Sequence, residues 1–251
     1  IESLNNLKKI NFSKLSNENK LNYKLYEFGI NRDIDLRNFP TYFLRINQRG
    51  GIQSFYETGN RLVYSSIQDY YDWLSRLNIF SENINNFIEI NKEGLSKGIT
   101  QPNMITESVI VQIDAIIDSE IDKNPYMKVF MEADSSLMSK SEKDELVIKA
   151  KEIVNNKIIP AYKNLNNFLK NQYLPNSRNS IGISDVPGGK EYYEYLTKFY
   201  TTTDLTPDQI HEIGLNEIKR IRSEMETIIK EVNWDGDFNS FLDYLRTSPR
   251  F

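Results

Sequence analysis

The chain is organised around residues 174–215, which read LPNSRNSIGISDVPGGKEYYEYLTKFYTTTDLTPDQIHEIGL. This stretch combines Gly and Pro residues that break regular structure, a short Tyr-rich helical pattern, a Thr-Thr-Thr-Asp turn and His211, which is the chain's one histidine. Segments with helical periodicity lie on both sides of it. The sequence therefore predicts a loop-rich segment near residues 175–206, and any chemistry is to be sought there first.

The helical segments next to this stretch carry clear start signals. Upstream, Ser139 opens a capping box for the longest pattern, which keeps the helical period to about Leu174. Pro160 interrupts that pattern, and we expect a kink or a join there because a proline removes one backbone hydrogen bond and crowds the preceding turn. Downstream, Thr206 caps a long helix and Asp237 caps a short last one. The apolar residues expected on the inner side of the long helix are Ile210, Ile221, Met225, Ile228 and Val232.

The N-terminal part of the chain shows four more helical patterns, with start signals at Ser16, Ser66, Ser81 and Pro102. Residues 36–60 break the helical period, and their adjacent glycines indicate a loop with a tight bend. Strict alternation of apolar and polar residues, the signature of strands, is nearly absent. The predicted fold class is therefore all-α: an irregular array of about eight helices with little or no β structure, and residues 1–251 forming a single helical unit.

Composition excludes several classes of function. Hydrophobic residues make up 39% and charged residues 26% of the chain, and the net charge of -4 comes from interspersed acidic and basic side chains. No basic block suggests a nucleic-acid partner, and no apolar run approaches the ~20 residues of a membrane span. The absence of cysteine removes disulfides, thiolate zinc sites and cysteine nucleophiles. Because the sequence begins at Ile1, we expect that an upstream leader, or simply a boundary segment, has been removed.

His211-Glu212 resembles half of a zinc-peptidase motif. That motif needs a second histidine one helical turn later, and the corresponding residue here is Leu215. Zinc takes at least three protein ligands, and the chain has neither a second His nor a Cys to supply them. The sequence therefore predicts no metal site and no catalytic residue in this chain, with His211 in a structural or solvent-facing role.

Three other groups of residues admit both a functional and a structural interpretation. Asp114, Asp118 and Asp122 recur every four residues; they could bind a cation or act as an acid–base pair, but a solvated helix face is the favoured interpretation. Gly188 and Gly189 could cradle an anion at the start of a helix, although a turn fits their spacing better. The tyrosines that follow cannot all face inward at helical spacing, so one or two of them are expected to line a groove: Tyr192, Tyr193, Tyr195 and Tyr200.

The order of several short motifs resembles a known bacterial family, the domain of unknown function 885, over nearly the whole chain. The most specific motif is Tyr200-Thr201-Thr202-Thr203-Asp204-Leu205-Thr206-Pro207-x-x-Ile210-His211-x-x-Gly214. The other matching stretches are Ile46–Gly51 (INQRGG), Tyr70-x-x-Trp73-Leu74-x-Arg76-Leu77, the Gly94, Gly98 and Pro102 spacing, Ile159–Tyr162 (IPAY), and Pro187-Gly188-Gly189-x-x-Tyr192-Tyr193.

This resemblance implies a mainly helical, metallopeptidase-like fold, of which the present chain is the N-terminal half. In that family a later half carries a His-Glu-x-x-x-Gly-His-type zinc signature, so zinc is implied for the full-length family and no cofactor is implied for this chain. The present chain would form one wall of a substrate cleft. The substrate-binding residues expected on that wall are Asn47, Gln48, Gly188, Gly189, Tyr192, Tyr193, Thr203 and Asp204.

Two hypotheses about function follow. In the first, the chain is the non-catalytic N-terminal portion of a zinc-dependent, peptidase-like hydrolase; it is inactive alone, and its partner is the missing C-terminal half. In the second, the chain is a complete helical module that binds a peptide or a protein. Neither hypothesis requires nucleic acid or a membrane span. The resemblance favours an extracytoplasmic location, as a periplasmic protein or a lipoprotein without its leader.

Overall fold

Helices account for 73% of the fold in the computed structural model, which describes residues 2–250. The α-helices are, in chain order, α1 (Glu2–Lys8), α2 (Asn17–Leu36), α3 (Tyr56–Arg61), α4 (Ile67–Asn78), α5 (Phe80–Ser96), α6 (Asn103–Ile117), α7 (Lys128–Met131), α8 (Lys140–Ile153), α9 (Ile159–Phe168), α10 (Gly189–Thr201), α11 (Pro207–Glu231) and α12 (Phe238–Thr247). Residues 2–250 contain no strand; Pro102 and Arg178 form an isolated β-bridge. The predicted all-α class is confirmed.

All eight predicted helical segments occur, with α8 and α9 together forming the longest. The pattern missed α1, α3 and α7, which have 7, 6 and 4 residues and are too short to show a helical period. The segment predicted as a loop over residues 36–60 contains two 3-10 turns and the start of α3. No helix among residues 2–250 is both long enough and apolar enough to cross a membrane.

The chain divides into two compact units, Ile1–Lys190 and Glu191–Phe251. The division falls in the first turn of α10. The expectation of a single helical unit that belongs to a larger protein stays a prediction, and the two units are described separately below.

The centre of the first unit is the α8–α9 rod, which packs against α4, α5 and α6. Its inner stripe is fully buried, as expected for the apolar face of a central helix: Leu146, Ala150, Val154, Ile158, Leu165 and Leu169 are each 0% exposed. Buried aromatic residues complete the core: Trp73 from α4, Phe80 from α5, Tyr126 from the turn before α7 and Tyr162 from α9 itself.

Pro160 is accommodated by a π-helical turn at Val154–Ile158, immediately before α9. The backbone N–H of Ile159 donates to the carbonyl of Val154, five residues back, so the widened turn relieves the crowding that a proline ring imposes on the preceding turn. A second π turn, Leu169–Tyr173, precedes Pro175 with the same spacing. The join predicted at Pro160 is therefore a local change of helix type within a continuous rod.

The second unit contains most of α10 together with α11 and α12. α11 begins as predicted, with a capping box formed by Thr206 and Gln209. Its apolar face, however, is not on the inside: Ile221, Ile228 and Val232 are 46%, 51% and 56% exposed. Helix α12 covers the adjacent side of α11, where Ile229 is buried. The prediction of an inward-facing stripe on α11 was wrong, because helical periodicity identifies an apolar face and does not show what covers it.

Candidate functional site

The predicted residues Asn47 and Gln48 lie in a loop that is held by a network of side-chain amides. The Asn47 side chain accepts from the backbone N–H of Arg49 at 2.9 Å. The Gln53 Nε2 group donates to the Asn47 carbonyl and to Gln112 Oε1, both at 2.8 Å. Gln112 in turn donates from Nε2 to the Gln48 carbonyl at 2.9 Å. Because Gln53 is only 2% exposed, these bonds fix the loop against α6.

Gly51 is the residue that allows this close packing. A Cβ atom at this position would overlap the Gln53 side chain and lie 2.7 Å from the Asn47 carbonyl oxygen. The neighbouring Gly50 has open space around its Cα. The glycine pair therefore contains one position where a side chain cannot fit and one where it can.

Two buried tyrosines hold the same loop from the core side. The Tyr162 hydroxyl donates to the Ile52 carbonyl at 3.0 Å, and the Tyr126 and Tyr162 hydroxyl oxygens are 2.7 Å apart. A hydroxyl has a single hydrogen, so Tyr126 is the donor in the second bond. Burial raises the pKa of both hydroxyls above the ordinary tyrosine range, so both stay protonated even at an alkaline pH that ionises an exposed tyrosine.

Next to the loop, α6 and the turn after it enclose a surface depression of about 430 Å³. Its wall is about equally polar and apolar, and the polar part mixes amides with both signs of charge. The lining residues that carry polar side chains include Gln48, Arg49, Gln53, Glu57, Gln112 and Lys123. Side-chain amides can donate to, and accept from, the backbone of an extended peptide, and a guanidinium can donate to it. The depression is the candidate functional site of the first unit.

The structure therefore brings Gln48 of the predicted set together with residues that the sequence analysis missed. Gln112 lies 64 positions from Gln48, and no local pattern links the two. Gln53 follows the Gly50-Gly51 pair closely, but an amide in a loop gives no signal of burial from sequence alone. Arg49 could have been noticed inside the INQRGG motif.

Gly188 and Gly189 have clear backbone roles in the first unit. Gly188 has φ = 73°, in the left-handed region that favours glycine. Gly189 begins α10, and a Cβ there would overlap the Ile183 carbonyl oxygen. These features match the turn that the sequence favoured. The expected contribution of both glycines to binding stays a prediction.

In the second unit, Tyr193 and Tyr200 line an apolar depression of about 350 Å³, together with Leu196, Thr197, Thr201, Pro207 and Ile210. Both rings are open to solvent, at 52% and 77% exposure. Burial raises the pKa of Tyr192, which is less accessible than Tyr193. The expectation that one or two tyrosines line a groove is met by this pair, while ligand binding by Tyr192 and Tyr193 stays a prediction.

Thr203 and Asp204 make local contacts in the turn before α11. The Thr203 hydroxyl lies 2.9 Å from the Thr201 hydroxyl. Asp204 accepts from Lys198 Nζ at 2.6 Å, and this hydrogen bond with the ammonium charge lowers the pKa of the carboxyl group. Both residues thus stabilise the turn, and their predicted contact with a substrate remains untested.

Residues 2–250 bring together no group of three His, Asp or Glu side chains that could hold a metal ion. His211 is exposed on α11. Asp114 is partly exposed; it accepts from Asn166 at 2.6 Å and from Lys170 at 2.9 Å, which links α6 to the α8–α9 rod and lowers its pKa. The described residues therefore do not fit the zinc ion that the family resemblance implies, and we derive no chemical step through it.

Comparison with protein families decides where this chain belongs. The model of the family described as "Bacterial protein of unknown function (DUF885)" matches residues 2–251. The chain belongs to the DUF885 family. The motifs that suggested this membership, INQRGG among them, lie in the described loops and helices of both units. A comparison with curated proteins finds no match for this DUF885 chain.

A solved structure with a similar fold is that of a "putative lipoprotein" from Colwellia psychrerythraea, with a TM-score of 0.70 and 23% sequence identity. The match covers 83% of this DUF885 chain and 36% of the Colwellia chain. The present chain thus spans about a third of the length of that protein. At this level of identity the likeness shows a shared fold and nothing about activity.

Proposed function

We propose that this chain is the non-catalytic N-terminal helical portion of a larger zinc-dependent, peptidase-like hydrolase, and that it forms one wall of the substrate-binding surface. The observation that carries the proposal is the depression beside Gln48 and Gln112, whose wall is fixed by the buried Gln53 amide. A wall that is held rigid before binding reduces the entropy lost when an extended substrate docks.

The side chains at this wall suit a peptide. Gln48 and Gln112 place amide groups at the depression, and Arg49 adds a guanidinium that can bind a carboxylate or a carbonyl. Nothing in this set is a nucleophile paired with a base, so the wall would bind and orient a substrate while the catalytic groups come from elsewhere.

The surface of α2 supports the idea that more polypeptide packs onto this chain. Leu21, Leu25 and Phe28 recur on one face of α2 and are 59%, 59% and 60% exposed. An exposed row of large apolar side chains on a helix is typical of a surface that another segment covers. The Colwellia structure, in which the matched fold is about a third of a longer chain, supports the same proposal.

Metal analysis and peptide hydrolysis by the purified chain test this proposal. We expect less than stoichiometric zinc, no chelator-sensitive hydrolysis of a peptide mixture, and peptide binding that Arg49→Ala weakens. Lys140→Ala is the matched control, because this exposed residue at the start of α8 is not among the lining residues of the depression. One tightly held zinc ion per chain, or hydrolysis that a chelator abolishes, would show that the proposal is wrong.

A complete helical binding module is the second candidate function, and the apolar depression at Tyr193 and Tyr200 favours it. In that case peptide binding by the isolated chain should depend on the second unit. Tyr200→Ala would then reduce affinity strongly, and Arg49→Ala would have little effect. The two variants therefore separate the two candidates in a single binding assay.

We also propose an extracytoplasmic location for the natural protein. Membership of a bacterial family and the fold shared with the Colwellia "putative lipoprotein" support it. Fractionation of cells that express the complete natural gene would test the proposal, and recovery of the protein in the cytoplasm alone would contradict it.

A further inference from the structure

Five apolar side chains form an exposed row along α11, which we call the α11 seam. Its members are Ile218, Ile221, Met225, Ile228 and Val232, with exposures of 65%, 46%, 36%, 51% and 56%. Their alternating spacing of three and four residues places them on one face, as in the seam of a coiled coil. The seam extends over about 21 Å of helix. It is therefore long enough to receive a helix from another polypeptide segment.

One flank of the seam is already covered within the second unit. Ile229 is buried against the α12 side, and the guanidinium of Arg222 lies 3.4 Å from the centre of the Phe238 ring. Helix α12 begins at Phe238, so this flank belongs to the α11–α12 contact. A partner helix must therefore approach from the other flank.

The open flank carries a row of acidic residues at every seventh position: Glu217, Glu224 and Glu231. Arg220 bonds to Glu217 at 2.8 Å and to Glu224 at 2.7 Å from the side that faces away from the seam. One arginine, paired with two of the three glutamates, leaves this edge negative. Residues at such flanking positions select the partner of a helix by charge.

A second copy of this chain does not fit the seam. Two α11 helices packed antiparallel would place their glutamate rows against each other, and like charges at these positions are unfavourable. A parallel pair would place each glutamate row against the side of Arg222 and Ile229, which α12 already occupies. Like charge in the antiparallel pair, and the position of α12 in the parallel pair, therefore argue for a different partner.

We infer that the α11 seam binds an amphipathic helix with an aliphatic face and a Lys- or Arg-rich flank, carried by another polypeptide segment. The inference deepens the proposed function and rests on it, since it names the surface and the chemistry through which the chain takes up the segment that it needs. The aliphatic face of the partner covers the seam, and its basic flank pairs with the row of glutamates.

A pair of synthetic helical peptides tests this inference on the full chain. Both peptides carry Leu and Ile on one face; one has Lys at the flanking positions and the other has Glu. Fluorescence anisotropy gives their affinities at low and high salt. We expect the Lys-flanked peptide to bind about tenfold more tightly or better, with the preference reduced by salt.

Three variants of the chain complete the test. Ile221→Asp combined with Ile228→Asp should weaken binding of the Lys-flanked peptide at least about tenfold, because both charges enter the seam. Ser223→Asp, on the side of α11 opposite the seam, is the matched control and should leave binding unchanged. Reversing the three glutamates to lysine should make the Glu-flanked peptide the preferred ligand.

Equal affinity for the two peptides, or binding that survives the double Asp variant, would overturn the inference. So would a stable dimer of the chain that the double Asp variant dissociates, because the second copy would then be the occupant. Absence of peptide binding on the seam, with zinc still below stoichiometry, would contradict this inference while leaving the proposed function intact. One zinc ion per chain, with peptide binding at the seam retained, would contradict the proposed function and leave this inference intact.

Discussion

Replacing Tyr162 with Phe should loosen the INQRGG loop and lower the stability of the first unit. The change removes a hydroxyl that bonds to the Ile52 carbonyl at 3.0 Å and to the Tyr126 hydroxyl at 2.7 Å. It leaves one acceptor and one donor without a partner at a side chain that is 0% exposed. An unsatisfied buried group costs about 1–3 kcal/mol, and the Ile52 carbonyl is only half-buried, so we expect a loss of about 2–3 kcal/mol.

Tyr126→Phe is the matched comparison, because it removes the other member of the same hydrogen bond. Here Tyr162 keeps its bond to the Ile52 carbonyl and loses only the donor to its own oxygen. We expect a smaller loss of about 1 kcal/mol. The double variant should be no less stable than Tyr162→Phe alone, because it also removes the Tyr126 hydroxyl that the single change leaves without an acceptor.

Urea unfolding that reports on the first unit measures this difference. Trp73 lies in the core of that unit at 1% exposure, and Trp234 belongs to the second unit. In a Trp234→Phe background, tryptophan fluorescence therefore follows the first unit alone. Equal losses of stability for the two Tyr→Phe variants, or a larger loss for Tyr126→Phe, would refute the assignment of Tyr126 as donor to Tyr162 and of Tyr162 as donor to the Ile52 carbonyl.

Three further predictions concern single positions in the first unit. Gly51→Ala should destabilise it by about 1–3 kcal/mol, because the new Cβ would lie 2.7 Å from the Asn47 carbonyl, whereas Gly50→Ala should be nearly neutral in the same urea assay. Hydrogen bonds from two backbone N–H groups at the start of α4 lower the pKa of Asp69 below its ordinary value. The stability that this carboxylate provides is present above its unfolded pKa and is lost as the pH falls through its folded pKa, so Asp69→Ala should shift the urea midpoint at pH 7 and have little effect in strong acid. Ser139→Ala removes the N-cap of α8 and should cost about 1 kcal/mol, measured by thermal unfolding.

The position of most helices could be predicted from the sequence because their ends are determined locally. Ser139 with Glu142, and Thr206 with Gln209, form the capping boxes that their spacing indicates. Pro160 marked the place where the α8–α9 rod changes its helix type, because a missing backbone N–H is a property of that single residue. That the rod continues through a π turn depended on the packing of both halves against α4, α5 and α6, which no local signal reports.

The candidate site was only partly predictable. Asn47 and Gln48 stood out in a short motif, but their fixed positions come from Gln53 and from Gln112, which belongs to another helix. Side-chain amides bond equally well to water, to backbone or to each other, so the sequence alone cannot select among these partners. Only the packing of α6 against the loop decides it.

The sequence by itself determined the all-α class and the supply of ligands: one histidine and no cysteine cannot provide a zinc site of His and Cys, however the chain folds. The tertiary structure alone decided which apolar faces are covered. The stripe of α11 has the same period as that of α8 and α9, yet Ile228 is 51% exposed and Ile158 is 0% exposed. The physical reason is that periodicity records where apolar side chains lie around a helix, while burial depends on the second surface that packs against them.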